Sequence, residues 1–199
     1  MFAVSQGRLS CRKKYGYLGY KITQIQIMKE SNLVITPFYW RYAEPIHAIS
    51  LFEAFELAEK QILGILNGIS EDLGEHRYQP EKWTVKEVLG HMLDVERIMA
   101  YRALRFARND KTPLHGFEEN NYAPEANAIG RTFGELTDEL INLRKSTVDL
   151  FRSFTDEMMA RTGTSNNAEL SVEALGYIIA GHSLHHCRIL VERYRVGPQ

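Results

Sequence analysis

The sequence predicts an all-α fold, a four-helix bundle with a long loop between its second and third helices. Three observations carry that expectation. Four stretches place apolar residues at steps of three and four, polar capping residues stand at the heads of three of them, and no stretch shows period-two alternation bounded by hairpin turns. Essentially no sheet is expected. At 199 residues, 44% of them hydrophobic, the chain can bury one sizeable core and is short for two ordinary domains.

Residues 1–29 carry Arg8, Arg12, Lys13, Lys14, Lys21 and Lys29 without one acidic residue, and their apolar residues keep no sustained period. That composition resembles an organelle transit peptide. Patterning of the domain starts only after Met28, however, so 1–29 reads as an N-terminal extension: disordered, tag-derived, or lying before a misassigned start. Residues 30–199 read as the bundle domain.

The first helix is expected over 46–69, where Ile49, Phe52, Phe55, Ile62, Leu66 and Ile69 share one face. Gly68 and the polar stretch 71–81, with Gly74 and Pro80, end it. Thr84 followed by Glu87 is a capping box that starts the second helix near Val85. Its stripe runs Val88, His91, Met92, Val95, Ile98, Met99 and Arg102, and it should stop near Asn109, ahead of Pro113. Residues 110–131, with Pro113, Gly116, Pro124 and Gly130, form the long loop, a kind of segment that often carries a binding site. Thr132 and Glu135 form another capping box, and Phe133, Leu136, Leu140, Val148, Phe151 and Phe154 give the third helix. After a polar turn over 163–167, Ser171 caps a fourth helix whose face reads Leu175, Ile178, Ile179, His182, His186 and Ile189.

Charge and cysteine usage narrow the function classes. With 24 basic and 25 acidic residues, a net charge of -1 supplies no global attraction for nucleic acid or an anionic membrane. Cys11 and Cys187 make no disulfide framework, and no apolar run approaches the roughly 20 residues that span a bilayer. A cytoplasmic protein is expected. Arg97, Arg102, Arg105, Arg108 and Lys111 make the end of the second helix basic, which suits the helix dipole and pairing with Glu118 or Glu119.

The histidines carry the chemistry. His182 and His186 stand one turn apart on an apolar face, so both imidazoles can reach one ion; His91 lies on the inner stripe of another helix and can supply a third nitrogen. Three protein ligands leave a coordination position open to water or substrate. The alternative is three core histidines satisfied by hydrogen bonds. His185 falls toward the edge of the face, as a supporting or surface residue. The run HSLHH lacks the glutamate of the HExxH motif, which disfavours a peptidase. Asp94, one turn beyond His91, could orient a ligand or accept a proton, Glu96 is expected at the surface, and Arg102 could reach an anionic substrate group.

The stretches KWTVKEVLGHMLDVERIMAYRALRFARNDKTPLHGFEENNY, 82–122, and SVEALGYIIAGHSLHHCRILVERY, 171–194, resemble the DinB-like (YfiT-like) superfamily of bacterial metalloenzymes. The resemblance implies a four-helix bundle, commonly dimeric, with one divalent metal ion, zinc or nickel, on His91, His182 and His186. It also aligns Gly116, Phe117, Glu118, Asn120 and Tyr122 with the family's acidic and asparagine-tyrosine loop, with His115 in place of an expected proline. Asp94 and Glu118 are then the candidate catalytic carboxylates, and Arg102, Asn120 and Tyr122 the candidate cofactor-binding residues.

Three functions compete. The first is a thiol S-transferase in which the ion holds a low-molecular-weight thiol as its thiolate, the nucleophilic form. The second is a hydrolase with metal-activated water and Asp94 or Glu118 as base. The third is a non-catalytic metal-binding stress protein stabilised by its ion. A small-molecule substrate and a homodimer are expected, with neither nucleic acid nor membrane as partner.

Overall fold

The computed structural model describes residues 33–197; the reading of 1–29 as an extension lies outside them. Seven α-helices follow in order among the described residues: α1 (Pro37–Ala43), α2 (Leu51–Leu66), α3 (Val85–Ala107), α4 (Glu119–Glu125), α5 (Phe133–Arg152), α6 (Asp156–Ala160) and α7 (Val172–Glu192). The four long ones are the predicted bundle. α7 packs against α3 and α2, and α5 packs against the same two, which closes the ring.

Side-chain caps set where these helices begin. Thr84 Oγ1 accepts from Glu87 N at 3.1 Å while Thr84 N donates to the Glu87 carboxylate at 2.7 Å, and Thr132 with Glu135 repeats the exchange at 3.1 and 2.8 Å. Ser171 Oγ accepts from Ala174 N at the head of α7, as the sequence predicts. The first long helix starts later than its stripe suggests. Ser50 and Glu53 form a third capping box, so the chain before Leu51 is a separate short helix and turn, and Phe52, expected inside, is exposed.

The expectation of no sheet is corrected. β1 (Thr162–Ser165) and β2 (Ala168–Ser171) form an antiparallel hairpin closed by Asn166 and Asn167, both at positive φ, the conformation of a two-residue primed turn. Its inward positions are Gly163, Ser165, Ala168 and Leu170, mostly too small to register as hydrophobic alternation. The small size is required, because a Cβ at Gly163 would stand 2.2 Å from the Phe106 ring. Leu114 joins the hairpin edge, its N–H donating to Thr164 O at 2.9 Å, so the long loop is tied down; it also contains α4.

Glu96, expected at the surface, is buried. Arg144 of α5 grips its carboxylate with two bonds, Nε to Oε1 at 2.9 Å and Nη2 to Oε2 at 2.7 Å, and donates a third to Phe55 O of α2 at 3.2 Å. The pair lies between two apolar clusters, one around Leu89, Leu93, Leu136 and Leu190, the other around Phe55, Phe106, Phe151 and Ile178. The remaining basic residues find partners other than Glu118 and Glu119: Arg97 bonds Glu139, and Arg105 bonds Asp110. Removing one partner of a buried pair strands the other charge, so Glu96→Ala should cost about 3–5 kcal/mol in urea unfolding. The double variant Glu96→Leu with Arg144→Met should lose less than either single change.

Candidate metal centre

α3 carries His91 in its second turn, α7 carries His182 and His186 on consecutive turns, and the packing of the two helices brings these faces together. His91 Nε2 stands 3.0 Å from His182 Nε2, which stands 3.1 Å from His186 Nε2. Two nitrogens each about 2.0–2.1 Å from a shared ion lie about 2.9 Å apart at a right angle and about 3.4 Å apart at the tetrahedral angle. The observed spacings fall in that interval. These three histidines are the metal-capable group found among the described residues.

Burial also puts the rings in the ligating state. It pushes the His91 imidazole down from 6.5 to about 4, with the charge of His185 adding to the effect, and holds His182 and His186 well below the usual histidine range. Neutral imidazoles with unprotonated nitrogens are what a divalent ion requires. His186 Nδ1 is buried with no hydrogen-bond partner among the described residues, so packing rather than a carboxylate behind the ring holds it.

Two aromatic rings wall the centre. Trp83 lies 4.7 Å from the His91 ring at 43°, its own carbonyl accepting from Tyr194 Oη at 2.6 Å, and Tyr42 meets His182 at 5.5 Å and 68°. The sequence reading named neither. Trp83 had one signal, its place immediately before the Thr84 cap of the helix that carries His91, whereas Tyr42 belongs to a short helix with no stripe of its own. His185 sits at the edge as expected, its ring 5.2 Å from that of His186 and its Nδ1 accepting from Arg188 at 3.3 Å.

The other candidates stand outside the three-histidine group among the described residues. Asp94 is half-buried and makes no hydrogen bond among the described residues. Burial raises its carboxyl, partly offset by Arg97, with Glu139 reinforcing the rise. Arg102 is eleven residues beyond His91, about 16 Å along the helix axis at about 1.5 Å per residue. Its guanidinium donates to His115 O at 2.9 Å and lies near Phe117, fastening the start of the loop. Glu118 caps α4, accepting from both the backbone and the side-chain amide of Asn120, and exposed Tyr122 packs on Phe117 at 5.1 Å.

A family model described as the DinB superfamily matches residues 54–190, a span containing all three histidines. Comparison with curated proteins finds no match. Among solved structures the chain is similar to YfiT from Bacillus subtilis, described as a probable metal-dependent hydrolase with an unusual four-helix bundle topology. The TM-score is 0.65 and the identity 18%, over 73% of this chain and 84% of that one.

The depressed histidines have a consequence for stability. A base whose folded value lies below its free value takes up protons first in the unfolded chain, so acid favours unfolding. In metal-free protein the His91 contribution is complete above about 6.5 and is lost as pH falls toward about 4. Unfolding midpoints between pH 7 and 4 should therefore fall less steeply for His91→Gln than for the unaltered protein.

Proposed function

The chain belongs to the DinB superfamily, and from that premise we propose that it is a metal-dependent enzyme acting on a small molecule at a divalent ion held by His91, His182 and His186. The supporting observation is the meeting of three buried Nε2 atoms from two helices at the spacing one ion requires. When bound, such an ion supplies Lewis acidity, polarising a substrate oxygen or lowering the pKa of water or a thiol. The chain's own part is to keep the imidazoles neutral and to shield two flanks with Trp83 and Tyr42. Imidazole ligands suit zinc, nickel, copper or iron, so the ligand set does not choose the metal. We place the protein in the cytoplasm as a homodimer; among the described residues no helix is long and apolar enough to cross a membrane.

Hydrolysis is the first reading, in keeping with the description of YfiT, with Asp94 or Glu118 as the carboxylate to test as base. Thiol S-transfer is the second, and one observation favours it. Among the described residues the three rings make no hydrogen bond to a carboxylate: His91 and His186 contact His182 through Nε2, and His186 Nδ1 has no partner. A thiol that loses its proton on coordination needs a less dedicated base than attacking water does.

Protein purified without added metal should carry about one ion per chain, and the triple change His91→Ala, His182→Ala, His186→Ala should remove it. Adding nickel to metal-free protein should quench the emission of Trp83, which lies against a ligand ring. Ester cleavage without added thiol would favour hydrolysis, whereas consumption of an electrophile only with a small thiol would favour transfer. No ion bound and none taken up would sink both readings.

A further inference from the structure

α1 lies before the span that the family model matches, yet it is fitted to the metal centre. A Cβ at Gly181 would stand 1.9 Å from Tyr42 O, so glycine beside His182 is what lets the end of α1 rest directly on α7. Tyr42 thereby meets both His182, at 5.5 Å, and His185, at 5.6 Å.

Its neighbour Arg41 is held in turn. The guanidinium lies over the Phe38 ring at 4.2 Å and the Tyr42 ring at 4.9 Å, and Nη2 donates to Tyr42 Oη at 3.1 Å. Among the described residues no carboxylate is within ion-pair distance of it, and Arg41 is exposed. Two aromatic contacts thus fix a cation whose remaining N–H donors are open to a ligand. The two ring contacts in series put that guanidinium at most about 10 Å from the His182 ring. A small molecule can span that distance.

We propose that Arg41, oriented by Phe38 and Tyr42, recognises a carboxylate on the substrate whose reacting group lies at the metal centre. The proposal rests on the metal reading above and adds a substrate class, a carboxylate-bearing small molecule. Arg41 is the specificity residue, since its planar fork matches a carboxylate with two parallel bonds, and Tyr42 is a positioning residue.

The test uses binding rather than turnover. Nickel uptake by full-length protein is measured first by calorimetry, then the affinity for adipic acid monohydroxamate and for its uncharged terminal amide. The acid should bind about tenfold more tightly than the amide. Arg41→Met should abolish that preference with nickel affinity unchanged, and Tyr42→Phe should reduce it. A preference that survives Arg41→Met, or none in nickel-loaded unaltered protein, overturns the carboxylate proposal alone. Failure of the unaltered protein to take up nickel overturns the metal reading and this proposal with it.

Discussion

α7 is enclosed by α1, α2 and α3, and a helix enclosed on several sides cannot carry large residues all round. Gly176 receives Leu51 and Phe151 where a Cβ would stand under 3 Å from both, and Gly181 receives the backbone of Tyr42. Between and beyond these contacts the helix face toward α3 is left to His182 and His186. The crowding that demands glycine on two faces therefore also holds the histidines away from water on the third, and the other parts of the metal centre follow from that enclosure.

Burial then does two things that would conflict elsewhere. It disfavours the protonated imidazoles, and it keeps the His182 Nε2 about 3 Å from the Nε2 of both His91 and His186. Both effects suit the same occupant. The long loop makes a different use of polar groups: the Arg102 guanidinium donates to His115 O and to the Met99 sulfur, which ties the start of the loop to α3.

Much of this was legible in the sequence where local chemistry decides the outcome. Thr84 with Glu87 and Thr132 with Glu135 mark helix heads because the same three-residue spacing satisfies two backbone donors wherever it occurs. Ser50 with Glu53 carries the same mark, but the apolar residues upstream obscured it. His91 and the α7 pair were readable together because both stripes face inward. Glu96 was not, since its burial depends on Arg144 arriving from 48 positions away, and a helical stripe says nothing of partners. The hairpin escaped for the opposite reason: glycine, serine and alanine fill its inward positions, and they leave no hydrophobic rhythm. α1 is held by a backbone approach to Gly181, which no periodicity records.

The polar stratum formed by Glu96 and Arg144 between two apolar clusters fixes the register of the bundle. Apolar surfaces are forgiving of sliding, since one leucine replaces another at little cost after a one-turn slip. A slip of α5 past α3 by one turn would carry Arg144 about 5.4 Å from its carboxylate and bury two unpaired charges. The bond to Phe55 O extends the same constraint to α2. α3, tied in this way to α5 and α2, carries His91 five residues ahead of Glu96, so the charged pair anchors the helix that supplies the first imidazole.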